Sequence, residues 1–85
     1  MYVIEFTKSS KKFLKSIPHS DVEIIIKKIY ELKDNPFRFL KKLEGHKLWR
    51  LRVMDYRAII DVVVSGNKII VLKIGYRKNV YDNIW

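Results

Sequence analysis

Three strand-like segments follow one another through the second half of the chain, and this run constrains the fold more than any other feature. Residues 48–54 and 57–64 alternate apolar and polar side chains on either side of the short Asp55-Tyr56 connection. Ser65-Gly66-Asn67 is a strong hairpin signal, and a third segment follows over residues 68–74. Connections this short can join only antiparallel strands. The sequence therefore predicts a meander of three antiparallel strands.

The first half of the chain predicts one strand and two helices. Residues 2–6 alternate in a strand-like way, and Thr7 can cap a helix that reaches about Ile17, where Pro18 ends it. Ser20-Asp21-Val22-Glu23 has the form of a capping box, and the apolar stripe behind it runs to Leu32 before Asn35-Pro36 stops the helix. The two helices should form a hairpin.

Together these segments predict an α+β fold in the order β-α-α-β-β-β, as one domain spanning residues 1–85. The helical hairpin should cover the face of a small antiparallel sheet that carries Ala58, Ile60, Val62 and Val64. The connection over residues 37–45 is expected to be a loop with aromatic anchors, in which Leu40 and Leu43 form a helical turn.

Composition excludes several classes of protein. The chain contains no cysteine, so disulfides and cysteine-based metal sites are not available. His19 and His46 have no convincing carboxylate companion, so neither a metal nor another cofactor is expected. We find no run of apolar residues long enough to cross a membrane and no signal-peptide pattern at the start. We therefore expect a cytoplasmic protein with no membrane partner.

The charge pattern indicates an anionic ligand. The formal net charge is +9, which attracts nucleic acid, acidic proteins and anionic membranes alike. Lysine dominates the basic residues, yet four of the five arginines, Arg50, Arg52, Arg57 and Arg77, lie in the second half. The planar fork of an arginine matches phosphate oxygens, whereas a lysine supplies a mobile point charge. This pattern predicts a site that binds a phosphodiester.

Strand alternation can bring these arginines to one surface. Arg50 and Arg52 share a face of their strand, and Arg57 lies with Asp61 on the outward face of the next. The run from Gly75 to Tyr81 interleaves aromatic and cationic side chains, as nucleic-acid sites often do. We assign further nucleic-acid contacts to Lys47, Lys73, Tyr76 and Lys78. The alternative is an ordinary solvated face of an amphipathic sheet.

An ordered series of short motifs resembles the RelE/ParE toxin superfamily, and within it the RelE-like, ribosome-dependent mRNA endonucleases. Together with the β-α-α-β-β-β order, the series covers nearly the whole chain; its motifs are Leu43-Glu44-Gly45, Trp49-Arg50-Leu51-Arg52, Asp55-Tyr56-Arg57, Gly75-Tyr76-Arg77 and Val80-Tyr81. The resemblance implies a RelE-like, microbial RNase-like fold and a type II toxin–antitoxin pair. It also implies a small, acidic, helical antitoxin as cognate partner and, as substrate, mRNA bound in the ribosomal A site.

The resemblance also implies catalytic roles without a metal. In such cleavage the adjacent 2′-OH attacks the phosphate, which requires a base, an acid and cations for the added charge. Arg57 and Arg77 match the family's phosphate and transition-state positions, and Tyr81 matches its C-terminal tyrosine. Arg50 and Arg52 stand where several bacterial members carry lysines. Because arginine is a poor base, we expect these two to position the phosphate and Tyr81 to transfer the proton.

Two other functions are compatible with the same sequence. A ParE-like protein would inhibit DNA gyrase by binding, and fold alone does not separate it from a nuclease. A basic module that binds RNA or the ribosome without chemistry gains weight from the missing lysines at positions 50 and 52. The set Arg57, Arg77 and Tyr81 favours the endoribonuclease.

Overall fold

The computed structural model describes residues 1–77, and its elements follow the predicted order with one addition. The elements are β1 (Val3–Phe6), α1 (Lys8–Leu14), α2 (His19–Tyr30), β2 (Lys41–Lys42), β3 (Trp49–Val53), β4 (Tyr56–Val63) and β5 (Lys68–Tyr76). Two single turns of 3-10 helix, Glu31–Lys33 and Pro36–Arg38, lie between α2 and β2. The α+β architecture is therefore confirmed. Within residues 1–77, neither helix is long and apolar enough to cross a membrane.

The five strands form one sheet in the order β1-β5-β4-β3-β2. The strands β3, β4 and β5 make the predicted antiparallel meander. In contrast, β1 pairs in parallel with β5, with Val3 beside Lys68 and Phe6 beside Val71. The sheet is thus mostly, and not wholly, antiparallel. Local alternation shows which residues are extended but not the direction of a partner far away in sequence.

The segment before β3 differs from the prediction. Leu40 and Leu43 do not form a helical turn, because the chain between them is extended and Lys41 pairs with Arg50 of β3. Leu40 packs into the main core, while Leu43 packs on the other side of the sheet. Residues three apart point to opposite faces of a strand, whereas in a helix they would share a face. Gly45, at φ 78°, lies in the turn that follows.

The start of α1 is as predicted, and the start of α2 is not. The backbone N–H of Ser10 donates to the Thr7 hydroxyl over 3.2 Å, which confirms the cap, although α1 already ends at Leu14. The capping box at Ser20 is wrong, because a cap at Ser20 would start the helix at Asp21, whereas α2 begins two residues earlier, at His19. The residue before it, Pro18, has no side chain that can cap, and its carbonyl accepts from the N–H of Val22 over 3.1 Å.

The main core lies between the helices and one face of the sheet. Its fully buried side chains come from α2, the turn after it and the three meander strands: Ile25, Ile29, Leu32, Leu51, Ile60, Ile69 and Val71. Burying one such side chain contributes about 1.5–3 kcal/mol. The predicted covered face is confirmed at Ala58 and Ile60, whereas Val64 lies beyond β4 and is 59% exposed.

A bulge in β5 decides which of its side chains face the helices. Ile59 pairs with Lys73, but the next residue, Ile60, pairs with Val71, so Leu72 is an extra residue in β5. Strict alternation would put Lys73 on the same face as Val71, among the core residues. The bulge instead places Lys73 on the opposite, outward face, which is the predicted orientation reached by a different route. The Thr7 hydroxyl donates to the carbonyl of Leu72 over 2.7 Å, which ties the bulge to the start of α1.

Candidate functional site

Arg57 lies at the centre of the candidate site. It stands in β4, the middle strand of the meander, and its cross-strand neighbours are Arg52 in β3 and Gly75 in β5. Directly paired residues present their side chains on the same face, so Arg52 lies beside Arg57 and Gly75 adds no side chain there. Only 4% of Arg57 is exposed, although it is charged. A buried arginine beside a second arginine is an unusual arrangement that suggests a function.

The predicted arginines converge on one cleft of about 360 Å³, which we call the arginine cleft. Arg50 and Arg52 reach it from β3, Arg57 from β4, and Arg77 from the end of β5. The backbone N–H of Arg77 donates to the carbonyl of Asp55 over 2.7 Å, which fixes that end of the chain beside the turn between β3 and β4. Within residues 1–77, the lining residues are Lys28, Phe39, Lys41, Arg50, Leu51, Arg52, Arg57 and Arg77.

The electrostatics of the cleft favour an anion. No acidic side chain lines the cleft within residues 1–77, while six of its eight lining residues are cationic. Burial, followed by the charges of Arg50, Arg77 and Arg52 in that order, lowers the pKa of Arg57 from 12.5 to about 10. Arg57 still carries its proton at neutral pH. A bound phosphate would offset the repulsion among these cations.

This arrangement can bind a phosphodiester and stabilise added charge on it. Guanidinium groups donate in pairs to phosphate oxygens, and a preorganised group of them can stabilise a pentavalent phosphate. Proton transfer is a separate requirement, and a guanidinium is poorly suited to it. His46 lies exposed in the turn before β3, and His19 contacts Glu23 over 3.2 Å at the start of α2. Across residues 1–77, no three His, Asp or Glu side chains converge as metal ligands would.

The other predicted site residues are placed differently. Lys73 lies on the arginine-bearing face, paired with Ile59, but does not line the cleft, and Lys47 is exposed in the turn before β3. Tyr76 pairs with Tyr56 and so lies on the helix-covered face. The nucleic-acid contact proposed for Tyr76 stays a prediction, because Tyr76 does not line the arginine cleft. Lys78 and Tyr81 lie outside the described residues.

Tyr56 belongs to a packed aromatic cluster on the helix-covered face. Its ring lies 5.8 Å from that of Phe13 and 5.4 Å from that of Tyr76, measured between centroids. Its hydroxyl donates to the carboxylate of Asp21 over 2.7 Å. This hydrogen bond, followed by burial, raises the pKa of Tyr56 to about 12. Tyr56 therefore joins α2 to β4 and does not reach the arginine cleft.

Besides Leu51, three residues of the cleft were not predicted from the sequence: Lys28, Phe39 and Lys41. They come from α2, the connection after it, and β2. In the described part of the chain, β2 covers only the first two residues of β3, so the cleft opens at the uncovered edge of Leu51 and Arg52. The alternation of aromatic and basic residues at Phe37-Arg38-Phe39 is the one local signal that could have indicated this wall.

The protein is thus a small α+β domain that carries a cluster of arginines on one face of its sheet. The chain is similar to a chain of the archaeal RelE–RelB complex from Pyrococcus horikoshii OT3, with 29% identity and a TM-score of 0.80 over 92% of this chain and 97% of that one. It is also similar to a chain of the RelB–RelE antitoxin–toxin complex from Methanococcus jannaschii, with 32% identity and a TM-score of 0.71 over 92% and 95%.

The isolated E. coli RelE toxin has the same fold, with a TM-score of 0.79 at 22% identity over 96% of this chain and 93% of that one. Comparison with curated protein sequences gave no significant match. A family model described as the ParE toxin of type II toxin-antitoxin system, parDE, matches residues 4–81. The chain therefore belongs to the RelE/ParE toxin superfamily and is a toxin of a type II toxin–antitoxin system.

Proposed function

We propose that this toxin is a ribosome-dependent endoribonuclease that cleaves mRNA in the ribosomal A site. The observation that carries this proposal is the arginine cleft, in which Arg57 is buried beside Arg50, Arg52 and Arg77. A surface that attracts a polyanion only needs exposed charges, which cost little to maintain. A buried guanidinium surrounded by others is costly, and it suits a site that stabilises charge on one phosphate.

In the proposed reaction, the 2′-oxygen next to the scissile phosphate attacks phosphorus and forms a cyclic 2′,3′-phosphate. The bond from phosphorus to the 5′-oxygen breaks, and that oxygen takes up a proton and leaves as a 5′-OH. Arg57 and Arg77 would stabilise the charge on the non-bridging oxygens, while Arg50 and Arg52 position the phosphate. We assign the transfer of the 2′-OH proton to Tyr81, whose phenol would be acidified by these cations.

We further propose that a cognate antitoxin binds this toxin. The solved complexes from Pyrococcus horikoshii OT3 and Methanococcus jannaschii pair RelE with RelB. A partner that covers a chain of net charge +9 should be acidic, because opposite charges speed association and disfavour wrong partners. A small helical polypeptide is the expected form.

Inhibition of DNA gyrase is the second candidate, because the matching family model is that of ParE toxins. Such an inhibitor would act by binding and would not need a buried arginine. A third possibility, binding of RNA or the ribosome without cleavage, is favoured by arginines at positions 50 and 52, since neither supplies a base.

Primer extension on an mRNA paused on matched ribosomes tests the proposal. The wild type should produce breaks inside the A-site codon only when ribosomes are present, and an Arg77→Ala/Tyr81→Phe variant should not. A Lys8→Ala variant is a charge control, because Lys8 is exposed in α1 and does not line the cleft. It should cleave like the wild type.

The alternatives give different results. Intact mRNA together with ribosome binding would contradict the nuclease and indicate a binding module. Intact mRNA without ribosome binding, but with loss of gyrase supercoiling activity, would indicate a ParE-like inhibitor.

A further inference from the structure

The arginine cleft has an aromatic wall that the proposed cleavage chemistry does not use. Phe39 lines the same cleft as the four arginines, and 38% of it is exposed. It does not belong to either apolar cluster of the described residues. The ammonium of Lys28 lies 5.3 Å from its ring centroid, and the guanidinium of Arg38 also lies 5.3 Å from it. Cations at this distance are attracted to the ring and help to orient it.

Phe37, two residues earlier, shows what a purely structural aromatic looks like on the same connection. It is 43% exposed, close to the value for Phe39, but its ring packs 5.1 Å from that of Trp49, which in turn packs on the core. Within residues 1–77, the Phe39 ring contacts the cations of Lys28 and Arg38 and packs against no other aromatic ring. An exposed ring between basic groups is the arrangement that single-stranded nucleic-acid sites use to stack a base.

We propose that Phe39, Lys28 and Lys41 form a second nucleotide subsite, next to the phosphate bound by the arginines. In this subsite the base of a flanking nucleotide stacks on Phe39, and its phosphate contacts the two lysines. The inference rests on the proposed function, because it assumes that the arginine cleft binds single-stranded RNA. The subsite would add a contact to a base through Phe39, whereas the arginines would contact only the phosphate backbone.

The size and charge of the cleft suit this ligand. Its volume of about 360 Å³ falls within the range of ~300–1,000 Å³ that is usual for sites of small organic ligands. Lys28 also contacts Glu31 over 3.8 Å, but both side chains are 42% exposed. An exposed ion pair of this kind is weak, so the ammonium can turn to a phosphate at little cost.

A binding cycle that removes either the ring or the base tests the subsite. The probe is a trinucleotide RNA with a 2′-O-methyl group at the central position, which prevents cleavage, and its partner probe lacks one flanking base. Phe39→Ala should weaken binding of the full probe about tenfold, as loss of one stacked base does. It should change binding of the abasic probe less than about twofold, because stacking is then already absent.

Two matched variants separate stacking from damage to the loop. Phe39→Trp should retain the affinity for the full probe, because it keeps an aromatic surface. Phe37→Ala, which removes an equally exposed ring outside the cleft, should leave the affinity for both probes unchanged. Equal losses with the full and abasic probes, or no loss with either, would overturn the proposal. A loss of affinity for the antitoxin alone would assign Phe39 to the antitoxin interface and would overturn it as well.

The cleavage assay keeps this inference apart from the proposed function. If the wild type cleaves ribosome-bound mRNA, Phe39→Ala should raise KM about tenfold and leave kcat within about twofold, since the base contact is made before the reaction. Wild-type cleavage without base-dependent binding would remove the subsite and leave the nuclease. Absence of wild-type cleavage would remove the nuclease, and the binding cycle would still decide whether Phe39 stacks a base.

Discussion

The two faces of the sheet are built for different purposes. The helix-covered face carries a continuous apolar core that includes Ile60, Ile69 and Val71, none of them exposed. Within residues 1–77, the opposite face has only a small apolar cluster around Leu43 and Ile59, with the buried Arg57 in the same strand. Most of the stability must therefore come from the first face, and it offsets the cost of placing cations on the second. This division lets one small sheet carry both an apolar core and a cationic cleft.

The arginine-bearing face also departs from the rules that stabilise a sheet. Arg52 and Arg57 are direct cross-strand partners, and like charges in that position destabilise the pair. A natural fold that keeps such a pair usually does so for function. The contrast between the faces can be tested at residues that share a strand or a pairing.

The neighbouring residues Ile59 and Ile60 allow the most direct test, because both are fully buried and they point to opposite faces. Ile60→Ala should lower the free energy of unfolding by about 3–5 kcal/mol, since it opens a cavity in a core that packs on all sides. Ile59→Ala should cost about 2 kcal/mol, because its small cluster can collapse more easily. Urea unfolding measures both values. Equal losses would show that the two faces contribute alike.

Arg57 should matter more for activity than any cation outside the cleft. Arg57→Gln should lower the rate of mRNA cleavage by about 100-fold, the usual effect of removing one donor that stabilises transition-state charge. The fold should be retained, because the substitution also removes a charge that the other arginines repel. Primer extension and circular dichroism measure the two quantities. A Lys68→Gln variant, changed on the same face but outside the cleft, should cleave normally.

Thr7 connects the two faces, because it caps α1 and holds the bulge that turns Lys73 outward. Thr7→Val should lower the free energy of unfolding by about 1–2 kcal/mol through loss of the cap. Thr7→Ser keeps the hydroxyl and should retain most of the stability. If Thr7→Val unfolds at the same urea concentration as the wild type, the hydroxyl has no role in holding the bulge.

The cross-strand repulsion should have a small and salt-dependent effect. Arg52→Gln should raise the free energy of unfolding by about 0.5 kcal/mol at low salt, because it separates two like charges. The gain should shrink at high salt, where exposed charges are screened. The same variant should bind RNA more weakly, with a slope against log salt lower by about one. A loss of stability at low salt would contradict the repulsion.

The pH dependence of stability sharpens the contrast between Tyr56 and Arg57, which are neighbours on opposite faces. The pKa of Tyr56 is raised to about 12 from 10, so its contribution is complete below pH 10 and is lost as the pH rises through 12. The pKa of Arg57 is lowered to about 10 from 12.5, so its buried charge destabilises the fold below pH 10. This cost disappears as the pH rises from 10 to 12.5, so Arg57 changes stability in the opposite direction to Tyr56. Only a variant can separate the two effects.

Tyr56→Phe should be less stable than the wild type at pH 7, because it loses the bond to Asp21. The difference between the two proteins should shrink between pH 10 and 12, where the unfolded wild type ionises first. Urea unfolding at pH 7 and pH 11 measures it. If the wild type and Tyr56→Phe differ in stability by the same amount at pH 7 and at pH 11, the pKa of Tyr56 is the same in the folded and unfolded states.

Much of the fold could be predicted because it is encoded locally. Alternation and the Ser65-Gly66-Asn67 turn gave the meander, and the short polar side chain of Thr7 gave the start of α1. The capping box at Ser20 was wrong because its pattern also fits a helix that begins two residues earlier, directly after Pro18. The helical turn predicted at Leu40 and Leu43 was wrong because a spacing of three residues fits both a helical turn and the two faces of an extended segment.

The candidate site was predictable only in part. The sequence by itself determined that Arg50 and Arg52 share a face, because side chains alternate along a strand, and the register of β3 against β4 places Arg57 on the same face. Only the tertiary structure decided that Arg57 is buried, that β1 runs parallel to β5, and that a bulge turns Lys73 outward. It also brought Lys28, Phe39 and Lys41 to the cleft. These features depend on contacts between segments far apart in the chain, which no local pattern of side chains records.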